Sequence, residues 1–121
     1  MATVRYLVSD VAACADFYAG ALGFTLIQSF GPNMAILTRG DLTLWIAGPG
    51  ASAARPMADG VRPVPGGWSR FVIETDDLDG LIAGLRARGA RFRNEIVSGP
   101  GGRQILVEDP SGNVVELFEP G

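Results

Sequence analysis

Asp109-Pro110-Ser111-Gly112-Asn113-Val114-Val115-Glu116-Leu117, close to the end of a 121-residue chain, runs from a tight polar turn straight into an apolar strand. Each of its first five residues favours a bend for its own reason. Asp, Ser and Asn bond their side chains to the local backbone, Pro fixes φ, and Gly accepts a positive φ. The turn predicts a hairpin between a strand Arg103 to Glu108 and a strand Val114 to Glu119. Working back, Gly99-Pro100-Gly101-Gly102 reads as another hairpin turn, because it lacks the strand-turn-helix setting of a phosphate loop. It leads to a strand Arg91 to Val97. Before that, Thr75 and Asp76 offer capping side chains to a helix from about Leu78 to Arg88, which Gly89 ends. A strand from Trp68 to Thr75 precedes the helix, so this part of the chain reads β-α-β-β-β.

The same order is written in the first part. Val4 to Val8 reads as a strand, and Ser9-Asp10 can cap a helix from about Val11 to Leu22 that stops at Gly23. Val11, Cys14, Phe17, Tyr18 and Leu22 share one helical face and are expected in the core. Strands Phe24 to Phe30, Met34 to Thr38 and Leu42 to Ala47 follow, joined by Gly31-Pro32-Asn33 and Arg39-Gly40-Asp41 in an antiparallel meander. Between the two parts, Gly48 to Gly67 is rich in Ala, Gly, Pro and Ser; Pro49, Pro56, Pro63 and Pro65 exclude a regular ladder, which leaves a linker or a lid. Two long copies predict a pseudo-symmetric pair of sheets, since solenoids need more copies of shorter units. A chain this short builds one core rather than two. The expectation is therefore a single α+β domain over residues 1–121, with module one at 1–47, the linker at 48–67 and module two at 68–121.

Composition removes several classes of function. The net charge is −3, all ten cationic residues are Arg, and no basic run exists to neutralise phosphates, which argues against nucleic acid. No apolar run approaches the ~20 residues of a membrane span, and the first residues lead into a strand without the pattern of a signal peptide. The expected location is the cytoplasm. Cys14 has no partner for an internal disulfide and no His or Lys to activate it, so it reads as a buried structural thiol rather than a reactive one.

Val8-Ser9-Asp10, Phe17-Tyr18 and Leu22-Gly23-Phe24, taken with Asp109 to Leu117 at the far end, resemble the vicinal oxygen chelate superfamily. That group contains glyoxalase I, fosfomycin-modifying enzymes, extradiol dioxygenases and bleomycin-binding resistance proteins. The resemblance covers essentially the whole chain. It implies curved mixed sheets whose concave face forms a ligand cup, usually within a homodimer. In the metalloenzymes a divalent ion is held by a His on the first strand of each half and a Glu on the last strand. At those positions this chain has Thr3, Arg70 and Glu116, and Trp45 stands where some members place a further ligand. One carboxylate does not supply the three or so ligands that a catalytic metal needs, and the chain has no histidine. No metal and no other cofactor is expected.

With metal chemistry removed, the cup becomes an aromatic plane beside an opposed Arg and Glu. Strand alternation sets Arg5 with Thr3 and Phe118 with Glu116; Gln104 is counted with them on the adjacent strand, and Phe30 and Trp68 are placed on the rim. The candidate ligand-binding residues are thus Thr3, Arg5, Phe30, Trp45, Trp68, Arg70, Gln104, Glu116 and Phe118, with no catalytic residue among them. Competing structural roles stand beside these: Trp45 as core, Trp68 as the cap of a sheet edge, and Arg70 with Glu116 as an ion pair replacing the lost metal. The expected function is self-resistance by sequestering an aromatic or hydrophobic natural product. The alternative is a metal-independent isomerase, cyclase or lyase acting on a small carbonyl or polyketide substrate, with Glu116 as acid or base and Arg70 stabilising an oxyanion.

Overall fold

A computed structural model of the chain describes residues 2–121. Its first half consists of β1 (Ala2–Leu7), α1 (Val11–Ala21), β2 (Thr25–Ser29), β3 (Met34–Arg39) and β4 (Leu42–Ala47). The second consists of β5 (Val72–Glu74), α2 (Leu78–Ala87), β6 (Arg91–Phe92), β7 (Val97–Gly99), β8 (Gly102–Glu108) and β9 (Val114–Pro120). The first sheet has the order β1-β4-β3-β2, and the second β5-β9-β8-β6 with β7 also on β8. In each half the opening strand lies parallel to the closing one, β1 on β4 and β5 on β9, and the remaining pairs are antiparallel. The segment between the halves contains one 3-10 turn, Ser52–Ala54.

The helices start and stop where local chemistry directs. Asp10 caps α1 by accepting from Ala13 N at 3.1 Å. Gly23 and Gly89 follow the two helices at φ +74° and +78°, where a side chain would be strained. The cap of α2 is Asp77, which accepts from Gly80 N at 3.0 Å, and not Thr75 or Asp76; Thr75 accepts from Asp77 N instead.

Two strands differ from their expected extent. The one expected over Trp68 to Thr75 begins only at Val72, because Gly66 and Gly67 turn at φ +111° and +88° and Arg93 holds the chain there through Gly67 O at 2.6 Å. The one expected over Arg91 to Val97 is broken into β6 and β7. There Asn94 Oδ1 accepts from Leu106 N at 2.9 Å, so a side chain takes the place of a main-chain partner.

One hydrophobic cluster draws on both halves. Tyr6, Phe17, Tyr18, Leu37, Leu44 and Ile46 join Ile73, Leu78, Leu85, Ile105, Val107 and Leu117 in it. Each large aliphatic side chain buried there contributes about 1.5–3 kcal/mol relative to exposure. The halves are also stitched by polar contacts. Tyr18 OH donates to Asp109 Oδ2 at 2.8 Å, Asn113 Nδ2 to Leu7 O at 2.7 Å, and Tyr6 OH to Val114 O at 2.8 Å. The turn Asp109 to Asn113 is thus docked against the β1–α1 junction. Tyr6 stacks on Phe71 at 5.2 Å, which brings the β1 edge of one sheet beside the β5 edge of the other.

Candidate functional site

Period-two alternation decides what each sheet offers on the face its helix does not cover. On β1, Val4 and Tyr6 turn inward to the core while Thr3 and Arg5 are exposed on the opposite face. On β4, Leu44 and Ile46 are buried and Trp45 stands on the other side, half-buried. The strand register then sets Arg5 beside Trp45 and Trp45 beside Ile36, and Thr3, Thr43, Thr38 and Thr25 in a neighbouring row across all four strands. Arg5 lies over the Trp45 ring with its guanidinium carbon 5.0 Å from the ring centroid, a cation–π contact. Trp45 is therefore not a core residue. Phe30 sits past the end of β2, half exposed, and takes part in no ring pair with Trp45.

The second sheet presents Val72, Gln104, Leu106, Glu116 and Phe118 on the equivalent face. Val72 is in register with Glu116 and Leu106, and Phe118 with Gln104. Arg70 Nε and Nη2 both donate to Glu116 Oε1, at 3.1 and 2.9 Å. Trp68 is 68% exposed and precedes β5 rather than starting it, with Arg93 over its ring at 4.5 Å. Arg93 also donates to Glu108 at 2.9 Å and to Gly112 O at 2.9 Å, so one side chain fixes Trp68, the end of the linker and the β8–β9 turn. Arg93 was absent from the sequence-based set, because its role depends on the break between β6 and β7.

The predicted residues thus form two groups. Thr3, Arg5 and Trp45 lie together on the first sheet, and Arg70, Gln104, Glu116 and Phe118 on the second, with Trp68 beside them. No hydrogen bond, ion pair or ring contact among the described residues joins one group to the other. The segment from Pro49 to Pro65 folds over the Leu7 and Ala47 end of the first sheet, enclosing a cavity of about 190 Å³ lined also by Arg62, Pro63 and Val64. A separate cavity of about 290 Å³ lies between α1 and the end of α2, on the helix side. It is rimmed by the ion pairs Arg88–Asp16 and Arg91–Glu108 and contains none of the predicted residues.

The positions that hold a divalent ion in the metalloenzymes do not fit one here. Thr3 is on one sheet, Arg70 brings a cation, and Glu116 Oε1 already accepts from that cation. Among the described residues no three Asp, Glu or Cys side chains gather at metal-binding range. Burial pushes the Tyr6 hydroxyl up to about 12 and the Cys14 thiol up to about 11, with the nearby Asp109 charge acting in the same direction on both. Burial, then Asp109, raises Tyr18 further still. These groups hold the halves together in neutral form, and Cys14 is a buried thiol in contact with Ser111 Oγ at 3.2 Å.

Comparison with known proteins agrees with this architecture. No curated protein matches the sequence. A member of the glyoxalase/bleomycin resistance protein/dioxygenase superfamily from Sphaerobacter thermophilus DSM 20745 is 27% identical, with a TM-score of 0.76 over 97% of this chain and 94% of its own. TnmS3, an antibiotic binding protein from Streptomyces sp. CB03234, is 27% identical with a TM-score of 0.73, over 98% of this chain and 93% of its own. TioX from Micromonospora sp. ML1 shares the fold at 22% identity and a TM-score of 0.76, over 98% and 97%. The sequence match to the family runs from residue 1 to 117, spanning both sheets and the turn that clasps them, and the chain belongs to the Glyoxalase/Bleomycin resistance protein/Dioxygenase superfamily.

Proposed function

We propose that this protein is a metal-independent binder that sequesters an aromatic or hydrophobic natural product, conferring resistance without chemical change to the ligand. The observation that carries the reading is the Arg70–Glu116 pair. The single acid retained from the metal set is committed to a guanidinium at 2.9 Å, and the face beside it offers apolar and aromatic groups instead of ligating ones. Pockets that bind small molecules tightly are mostly apolar with few polar anchors, and Trp45, Trp68, Phe118, Val72 and Leu106 supply that lining. The similarity to an antibiotic binding protein at 27% identity supports the same reading. The two half-sites lie on open sheet faces, so we place the complete cup in a homodimer, and the protein in the cytoplasm, where a free thiol stays reduced. Glu116 as a general acid or base is disfavoured by the same ion pair.

The test is a titration of intrinsic tryptophan fluorescence with a panel of aromatic antibiotics, with and without a chelator, followed by recovery of the ligand. Saturable quenching that ignores the chelator, with the compound returned unchanged, is the expected result. An altered compound would move the protein among the enzymes, and a chelator-sensitive signal would restore the metal.

A further inference from the structure

The strands β1 to β4 contain no Asp or Glu at all, and their charged residues are Arg5 and Arg39. Arg39 turns back to donate to Leu22 O at 3.0 Å, at the end of α1. Arg5 is therefore the one charged side chain on the helix-free face of the first sheet. The second sheet is the reverse. The cations on its strands are paired, Arg91 with Glu108 at 3.7 Å and Arg103 with Glu119 at 2.7 Å, and so are those beside it, Arg70 with Glu116 and Arg93 with Glu108, each at 2.9 Å. Arg5 takes part in no ion pair among the described residues.

A guanidinium without an acidic partner lies over the Trp45 ring, a contact made through its face rather than through a hydrogen bond, so its N–H donors stay available to a further partner. Such a group can meet a planar anion with two parallel hydrogen bonds. Beside it, Trp45 and Ile36 give an apolar strip for a ring, and the row of threonines next to it gives hydroxyls for further oxygens. No acid on these strands repels a negative charge.

Resting on the ligand-binding reading above, we infer that the first sheet is a subsite selective for a planar aromatic anion, a carboxylate or phenolate attached to a ring, with Arg5 as the selectivity-determining residue. The ring of the ligand lies along Trp45 and Ile36, and its acidic oxygens meet the Arg5 guanidinium. A neutral aromatic of the same shape fits the strip but leaves Arg5 without a partner, and an aromatic cation is repelled.

The experiment is isothermal calorimetry with 2-naphthoate and 2-naphthamide, which share a ring system and differ in charge, on the full chain and on Arg5→Gln and Arg5→Lys. The expected result is naphthoate binding about tenfold tighter than naphthamide, a preference that shrinks as salt is added. Arg5→Gln should remove the preference by weakening naphthoate alone, since an exposed strand residue is replaced without loss of core. Arg5→Lys should keep part of it, because the charge remains while the paired planar donors are lost. Equal affinity for acid and amide would overturn the anion subsite while leaving aromatic binding intact. A preference that survives in Arg5→Gln would place the anion elsewhere and overturn it as well. Failure of both probes to bind would overturn the subsite, while the antibiotic titration above decides the binding reading separately.

Discussion

Asp109 shows how much of this fold hangs on single side chains. It is a buried carboxylate that accepts from Tyr18 OH at 2.8 Å, Ser111 N at 2.8 Å, Asn113 N at 3.0 Å and Asn113 Nδ2 at 3.1 Å. A buried charge is tolerable only when its lone pairs are filled in this way. Tyr18→Phe removes one of the four and should lower stability by about 1–3 kcal/mol, read as a lower urea midpoint with an unchanged slope. Alkali gives a second test. Tyr6 ionises at about 12 in the folded chain against an ordinary 10.0, and Tyr18 is raised further. The unfolded chain therefore loses its phenolic protons first. The stability associated with the two tyrosines is complete below pH 10 and is lost as pH rises from 10 through 12 and beyond. Ultraviolet absorbance should show little tyrosinate near pH 10, then a rise that coincides with loss of circular dichroism. The polar turn was legible as a turn from its residue types; that Asp109 would be its buried centre was not, because the partner Tyr18 is 91 residues away.

Among the elements, β8 and β9 are the most constrained. Gly102 opens β8 at φ +149°, and a Cβ there would run into the Glu119 carbonyl of the paired strand. Gly102→Ala should cost about 1–3 kcal/mol from the strained conformation alone, measurable as a lower thermal midpoint, while Gly84→Ala in α2, where nothing crowds the added methyl, should be neutral or stabilising. Glu119 also ties this hairpin to α2. Its carboxylate accepts from Leu78 N at 3.0 Å and from Arg103 at 2.7 Å, and these partners, the backbone donor first, hold it below its usual range. The helices and the meander could be read from caps, glycines and alternation, all of which are local. The broken strand between Phe92 and Val97 could not, because Asn94 breaks it by bonding a residue on another strand. The same holds for Trp68, whose place depends on Arg93.

At the scale of the whole molecule, the shared core has a consequence for unfolding. Each half would expose its side of the cluster without the other, so we propose that they fold as one unit. Near-ultraviolet circular dichroism and tryptophan fluorescence should give superimposable urea curves, since Trp45 reports from the first half and Trp68 from the second; two separate midpoints would show independent halves. The sequence made the family and the paired layout legible through its two end motifs. Alternation within β1 put Arg5 with Thr3, which needs no tertiary knowledge; Trp45, on another strand, was set beside them only by the resemblance, and the register places it next to Arg5. That Arg70 and Glu116 belong to the other half followed from the paired layout, whereas their direct pairing at 2.9 Å depends on packing that spacing does not encode.

The clasp between the halves runs one way, and this makes the two copies unequal to an engineer. The β8–β9 turn is docked into the first half, whereas its counterpart, Arg39-Gly40-Asp41, has open space where a side chain at Gly40 would project. A reporter domain spliced in at Gly40 should be carried without harm, as exposed loop tips permit, while the same insert after Ser111 should pry the halves apart and leave the chain in the insoluble fraction. A binding sensor built from this scaffold has its attachment point in the unburdened turn, within the sheet that carries Arg5.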